Sequence, residues 1–308
     1  MNDPILTQYQ VRKSNKEKTA FIDYLKNRLN DYDITVEENG KGVFKSRNIV
    51  VGNPEEAQVI LTAHYDTCPV IPFPNLMAPT NPLIFIAYQL LLVVIMVLIG
   101  GVFAVPAFLL SHDPLITYYA FLAGLLLFLG QVMFGYPNKH TANDNTSGII
   151  VLTQFLERLP QACRDKICVV YFDNEEKGLL GSSAFAKAHE EVTKTKLLVN
   201  LDCVGDGDNI VCMAKFKARK EPLYDLLAEC MQESAGSFDG RFLQRKMKFM
   251  MFPSDQAHFA KGVGICALRK SPIGMYCARI HTPMDTRCRE ENVEYLVTGL
   301  KKFAERME

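Results

Sequence analysis

The chain has 308 residues, enough for one large or two modest domains. Its 34 Lys and Arg balance its 34 Asp and Glu, which argues against nucleic acid or another polyanion as partner. Nine cysteines without a CxxC pair argue against a zinc ribbon or a thioredoxin motif, and the odd count reads as reduced thiols in a cytosolic compartment.

The N-terminus is polar and charged and lacks the apolar core of a secretory signal. Residues 14–29 have helical spacing, with Phe21, Ile22, Leu25 and Leu29 on one face and Ser14 with Glu17 as a capping box. Short strands are expected at 34–37, 42–45 and 48–51, separated by turn residues. A buried strand at 57–63 runs straight into His64-Tyr65-Asp66.

Between Thr67 and His112 there is no Asp, Glu, Lys or Arg, and after Asp113 there is none until Lys139. Residues 82–110 and 115–134 form two apolar runs, each reaching the roughly 20 residues that cross a bilayer core as a helix. The connector, Ser111-His112-Asp113-Pro114, is very short. The pair therefore reads as a transmembrane hairpin; a buried helical hairpin in a soluble core or an oligomer interface is the alternative. Residues 67–136 are the inserted segment, and 1–66 with 137–308 form the rest.

Polar sequence resumes at Thr141, and a helix is expected over 148–159. A strand over 166–172 runs into Asp173-Asn174 and the adjacent Glu175 and Glu176. A helix near 181–189, a strand over 197–201 ending at Asp202, and a helix over 222–233 follow. A short apolar run at 249–252 precedes Pro253-Ser254-Asp255-Gln256, a strand is expected at 264–268, and a helix over 291–306 closes the chain. Strands alternating with helices imply an α/β fold: a three-layer sandwich whose central sheet is mostly parallel and flanked by helices.

Several strands thus end in a His or a carboxylate, where open α/β sheets bind ligands. Adjacent Glu175 and Glu176 repel, so both stay ionised only beside something cationic. Singly, each strand-end acid is as well read as a turn or cap residue. Together they supply nitrogen and oxygen ligands that suit zinc, and also manganese or cobalt.

The motifs HYD, NDNTSG, NEEKGLLGS, NLD, SDQ and HTPMDT occur in the order seen in the di-zinc metallopeptidases of peptidase family 28, which this sequence resembles from about Asn48 to its end. That family includes aminopeptidases, glutaminyl cyclases and some glutamate carboxypeptidases. The resemblance implies a zinc aminopeptidase-like fold and two zinc ions. It implies that His64, Asp144 and Asp202 hold one metal and Asp144 (bridging), Glu176 and His281 the other. Glu175 would be the general base and Asp66 the residue that orients His64. Two departures stand out. The hydrophobic hairpin separates Asp66 from Asp144, which lie close together in the soluble relatives, and the family's usual SDH is Ser254-Asp255-Gln256, to which we assign pocket shaping.

The expected activity is membrane-anchored aminopeptidase action on peptide N-termini. Carboxypeptidase action, amide hydrolysis of small conjugates, glutaminyl cyclisation and an inactive membrane scaffold are the alternatives. The expected partners are a peptide, including a hydrophobic one arriving along the membrane, and the lipid bilayer; a homo-oligomer closing on Gly100-Gly101 is a further expectation. Both ends of a hairpin lie on one side, and Lys139 with the missing signal places that side in the cytoplasm. His112, His189 and His258 read as connector or packing residues, Asp206-Gly207-Asp208 as a turn, and Cys68 as a small filler.

Overall fold

In the computed structural model, residues 1–71, 75–237, 241–246 and 252–307 are described. The elements in chain order are α1 (Pro4–Thr7), α2 (Asn15–Arg28), β1 (Ile34–Asn39), β2 (Ser46–Val51), β3 (Val59–His64), α3 (Pro82–Ser111), α4 (Pro114–Phe134), α5 (Gly148–Arg158), β4 (Ile167–Phe172), α6 (Leu180–Ala188), α7 (Glu190–Thr195), β5 (Leu197–Leu201), β6 (Asn209–Ala214), α8 (Pro222–Glu233), β7 (Arg241–Lys246), β8 (Lys261–Ser271), β9 (Gly274–Tyr276) and α9 (Glu290–Arg306).

The strands form one sheet in the order β1-β2-β4-β3-β5-β8-β6-β7, with β9 hung on β8. The four central strands, β4, β3, β5 and β8, run parallel. The antiparallel pairings are toward the edges, β1 with β2, β2 with β4 and β6 with β8. Strand β3 (VILTAH) and strand β4 (ICVVYF) are buried along their whole length, the pattern of parallel strands covered on both faces. Val59, Leu61 and Ala63 face a layer built from α2, α5, α8 and α9. Ile60, with Val170 and Phe172, faces the layer of α6 and α7. This is the three-layer α/β sandwich the sequence implied.

Helix α9 shows how the layers are held. Val293, Leu296, Val297, Leu300, Phe303 and Ala304 fall at helical spacing and are all buried. Each large side chain so buried contributes about 1.5–3 kcal/mol. Helix α2 starts as expected: Ser14 Oγ accepts from the Glu17 amide at 3.3 Å, and the Ser14 amide donates to Glu17 Oε2 at 2.7 Å.

One local expectation needs correction, and two regions add to the reading. Residues 42–45 are not a strand; Gly42–Phe44 is a 3-10 turn joining β1 to β2. Gly40 and Gly42 take φ of 79° and 58°, left-handed values that break an extended run. Strands β6 and β7, unforeseen in sequence, extend the sheet beyond β8. Most of the expected apolar run at 249–252 lies outside the described residues, although Phe252 is buried.

Between β3 and α5 the chain runs out through α3 and back through α4. At 30 and 21 residues these span about 45 Å and about 32 Å, enough for a bilayer core. Both are apolar all round, yet Leu90, Leu98, Val102 and Leu126 are each more than half exposed. The helices cross where glycines allow close approach. A Cβ on Gly124 would lie 3.2 Å from Gly100 Cα and 2.7 Å from the Phe103 ring, and one on Gly100 would strike Phe121 at 2.5 Å. Gly100, expected as a contact between copies, is therefore used inside the hairpin, whereas the space beside Gly101 is open.

Candidate metal centre

The C-terminal ends of the parallel strands converge on one edge of the sheet. His64 is the last residue of β3, Glu175 and Glu176 follow β4, and Asp202 follows β5. Asp144 lies in the irregular turn before α5, and His281 in the loop before α9. The fold brings all of them together. His64 Nε2 lies 3.2 Å from Asp144 Oδ1 and 3.6 Å from Asp202 Oδ1. His281 Nε2 lies 3.0 Å from Asp144 Oδ2 and 3.3 Å from Glu176 Oε2. The two oxygens of one carboxylate, Asp144, thus face two different imidazoles.

Asp66 ties two strand ends together. Its Oδ1 accepts from the Glu175 amide at 2.9 Å and its Oδ2 from the Glu176 amide at 3.2 Å. Its Oδ1 also lies 3.6 Å from His64 Nδ1, on the ring side away from Asp144. The Asp66 backbone carbonyl, 3.2 Å from His64 Nδ1, sets that ring, and the carboxylate holds the turn that presents the glutamates.

The backbone around the site is held against its preferences. Asn174, Cys203 and His281 adopt φ of 53°, 57° and 60°, left-handed values for residues with a Cβ. Such positions cost on the order of 1–3 kcal/mol each and persist only where surrounding contacts fix them. Those contacts are present. The buried Lys18 ammonium pairs with Asp173 and donates to Asn174 Oδ1 at 2.8 Å, and Asn174 Nδ2 donates to the Lys45 carbonyl at 2.9 Å. The Cys203 amide donates to Asn145 Oδ1 at 3.3 Å. The His281 carbonyl accepts from the Ile71 amide at 3.2 Å.

Three residues with positioning contacts were missed in the sequence reading. Asp285 accepts from the Asn143 and Asp144 amides at 2.8 and 3.0 Å, although burial pushes its carboxyl up to about 8. Arg12, fully buried, donates to the Tyr65 carbonyl and to Thr146 Oγ1, so it links the turns that carry His64 and Asp144. Lys18 braces the Glu175 turn as described. Each meets its partners across long sequence separations, and only the DT after His281 in HTPMDT carried a local signal for one of them. Asp255, assigned to pocket shaping, is fully buried, and burial with Asp66 and Asp202 nearby pushes it up to about 7. Cys68, read as filler, is buried, and its sulfur, a Glu176 oxygen and a His281 nitrogen lie within 4.8 Å of one another.

The electrostatics call for cations. Burial drives the Glu175 carboxyl well above its ordinary value, and the charges of Glu176, Asp255 and Asp202 add to this. Burial likewise raises Glu176. Burial alone would lower the pKa of His64 and His281, but the surrounding carboxylates, Glu175 beside His64 and Glu176 beside His281, hold both well above their usual values. Glu176 Oε1 and Asp202 Oδ1 are buried with no hydrogen-bond partner among the described residues. Unpartnered buried carboxylate oxygens beside imidazoles suit zinc, and the ligand atoms of His64, Asp144 and Asp202 lie within 4.8 Å of one another. Two such donor groups, sharing Asp144 by its distances, fit the implied metals.

The other assignments can be placed. Ser182 Oγ lies 3.0 Å from His258 Nδ1, and His189 sits between Glu37 and Glu55. Asp206 pairs with Arg269 and Arg279.

Comparison with known proteins follows the same line. None of the curated protein sequences matches this chain. Among solved structures, a Bacteroides thetaiotaomicron glutaminyl cyclase bound to N-acetylhistamine aligns with a TM-score of 0.59 at 15% identity, over 98% of this chain and 94% of that one. A Macrostomum lignano glutaminyl cyclase aligns with a TM-score of 0.59 at 13% identity, over 97% and 86%. The Legionella pneumophila LapA aminopeptidase aligns with a TM-score of 0.52 at 14% identity, over 97% and 68%. At such identities the likeness speaks for the fold. Residues 130–294, more than half of the chain, match the profile of Peptidase family M28. The chain therefore belongs to peptidase family M28, a family of metallopeptidases.

Proposed function

We propose that the chain is a membrane-anchored aminopeptidase with two zinc ions, hydrolysing the N-terminal bond of peptides from the cytoplasmic side. The observation that carries the hydrolytic reading is Asp144, whose two carboxylate oxygens face His64 at 3.2 Å and His281 at 3.0 Å. His64, Asp144 and Asp202 would hold one ion, and Asp144, Glu176 and His281 the other. When bound, such a pair supplies an attacking water of lowered pKa and polarises the scissile carbonyl. A complete paired ligand set favours a hydrolase over a cyclase.

The chain's own residues do the rest. Glu175 is left free of ligation, its backbone pinned by Asp66. Its carboxylate would take the proton of the attacking water and pass it to the departing amine. Burial raises the proton affinity of this carboxylate, which makes it the stronger base for the first transfer. Asp66 acts on His64 from behind, keeping the ring's other nitrogen turned toward Asp144 and Asp202.

The membrane reading rests on α3 and α4. They are long and apolar enough to cross a bilayer, and few of their residues are buried. A core hairpin would hide these side chains. The hairpin leaves the catalytic edge at the start of α3 and returns to it at the end of α4, so the whole enzyme would lie on one side of the membrane, and Lys139 with the nine free cysteines favours the cytoplasm.

Glu175→Gln tests the mechanism. The variant should keep its metal, read by elemental analysis, and lose about 10²–10⁴-fold in turnover on aminoacyl substrates. The same panel should include N-blocked peptides and peptides with N-terminal glutamine. Full activity in Glu175→Gln would defeat the mechanism, and cyclisation of glutamine without hydrolysis would overturn the aminopeptidase assignment.

A further inference from the structure

The hairpin does not meet the catalytic edge alone. Two loops of that edge touch its two roots. Asn81, the residue that caps α3, donates through Nδ2 to the Ile273 carbonyl at 2.8 Å, at the tip between β8 and β9. At the other root, the Phe44 ring meets the Phe134 ring at 6.3 Å, near edge-on. Lys177, next to Glu176, donates to the Val43 carbonyl at 3.0 Å and lies over the Phe134 ring. Lys13 donates to the Met133 carbonyl at 3.0 Å, where the end of a helix favours a cation.

These loops share a composition. Val43, Phe44 and Ile273 are 61%, 49% and 39% exposed, and Tyr136, just past α4, is 83% exposed. Each apolar tip has an exposed lysine within three residues in sequence: Lys41 before Val43, Lys270 before Ile273 and Lys139 after Tyr136. Glu38 faces this surface but is paired with Lys45 at 2.7 Å. Topology puts the tips on one edge. Strand β2 is antiparallel to β4, so the Val43 turn lies at the end of the sheet where β4 delivers Glu175. Strand β8 is parallel to β5, so Ile273 lies at the end where β5 delivers Asp202. Apolar tips flanked by exposed lysines are how peripheral segments enter the interface of a membrane with anionic headgroups.

We propose that the catalytic edge itself seats in the bilayer interface, with the Val43 and Phe44 turn and the Ile273 tip entering on either side of the hairpin and Lys41, Lys139 and Lys270 meeting lipid phosphates. This rests on the membrane reading of the hairpin and deepens it. The metal centre then opens at headgroup level, and the substrate class is peptides whose free N-terminus lies in the interface, with an apolar remainder in or on the membrane.

The chain has no tryptophan, so one introduced residue reports alone. Phe44→Trp tests the seat. Leu98→Trp, midway along α3, reports the hairpin. Phe216→Trp, exposed beyond the end of β6, reports the opposite end of the sheet, because β6 is antiparallel to β8. Each full-length variant is placed in nanodiscs containing phosphatidylglycerol and phosphatidylcholine, with acyl chains brominated near the headgroup or near the chain end. Phe44→Trp should lose emission most to bromines near the headgroup, Leu98→Trp most to bromines near the chain end, and Phe216→Trp should lose none. Quenching of Leu98→Trp with Phe44→Trp unquenched, or quenched no more than Phe216→Trp, would overturn the interfacial seat and leave the hairpin in the bilayer. An unquenched Leu98→Trp would overturn both readings.

Discussion

At the catalytic edge the chain hides charge: His64, Asp66, Asp144 and Asp202 are all buried, at 1%, 2%, 4% and 6% exposure. In α3, reached within twenty residues of Asp66, it displays apolar side chains instead, with Leu98 at 63% and Leu110 at 87% exposure. A protein built only for water would reverse both choices. The buried charges are tolerable where imidazoles, backbone amides and metal ions answer them. The exposed leucines are tolerable where the surrounding solvent is lipid. On the reading proposed above, each region departs from the common rule because its partner is something other than water.

Substitutions that remove the answering group probe the contrast. The largest effect expected is at Lys18, which is 3% exposed and paired with Asp173. Lys18→Met keeps the stem but leaves Asp173 charged and unpaired, and should cost about 3–5 kcal/mol of stability in denaturant titration. A cost below that of an ordinary surface change would mean that water already answers Asp173.

In the hairpin, Leu98→Arg asks the matching question. A cation at the centre of a spanning helix costs about 2.5–3.5 kcal/mol, so the fraction of chain resisting alkaline extraction from membranes should fall sharply. An exposed site in water would tolerate the change within about 0.5 kcal/mol. Unchanged extraction and stability would therefore move the hairpin out of the bilayer.

A smaller effect is expected from Asp66→Ala. It removes the carboxylate charge 3.6 Å behind His64 and two amide contacts in the glutamate turn, but no assigned ligand, and it keeps the backbone carbonyl 3.2 Å from His64 Nδ1. Metal affinity should fall about 10–100-fold, measured by competition with a chelating dye. Unchanged affinity would assign Asp66 to the turn alone.

Much of the centre was legible in sequence because each candidate ligand sits in a short motif, and three of them, His64, Glu176 and Asp202, lie at or just after a strand end. Val59 to His64 is apolar up to its histidine, and Ile167 to Phe172 is apolar up to the acids. What was illegible depends on distance. Arg12 meets Tyr65 and Thr146, Lys18 meets Asp173, and Asp285 meets Asn143, contacts for which local spacing carries no signal. In β6, NIVCMA has no clear alternation because both faces are covered, and in the Val43 turn the apolar pair mimics a strand although the left-handed Gly40 and Gly42 just before it bend the chain away. Those same two side chains, misread as strand, are the ones we assign to the membrane interface.

The central claim is that His64, Asp144, Glu176, Asp202 and His281 hold a pair of metal ions joined by Asp144. Elemental analysis of the purified full-length chain and of Asp144→Asn tests it directly. The account predicts two zinc ions per chain in the native protein and loss of both from the folded variant. An Asp144→Asn chain that keeps its full metal content would contradict it.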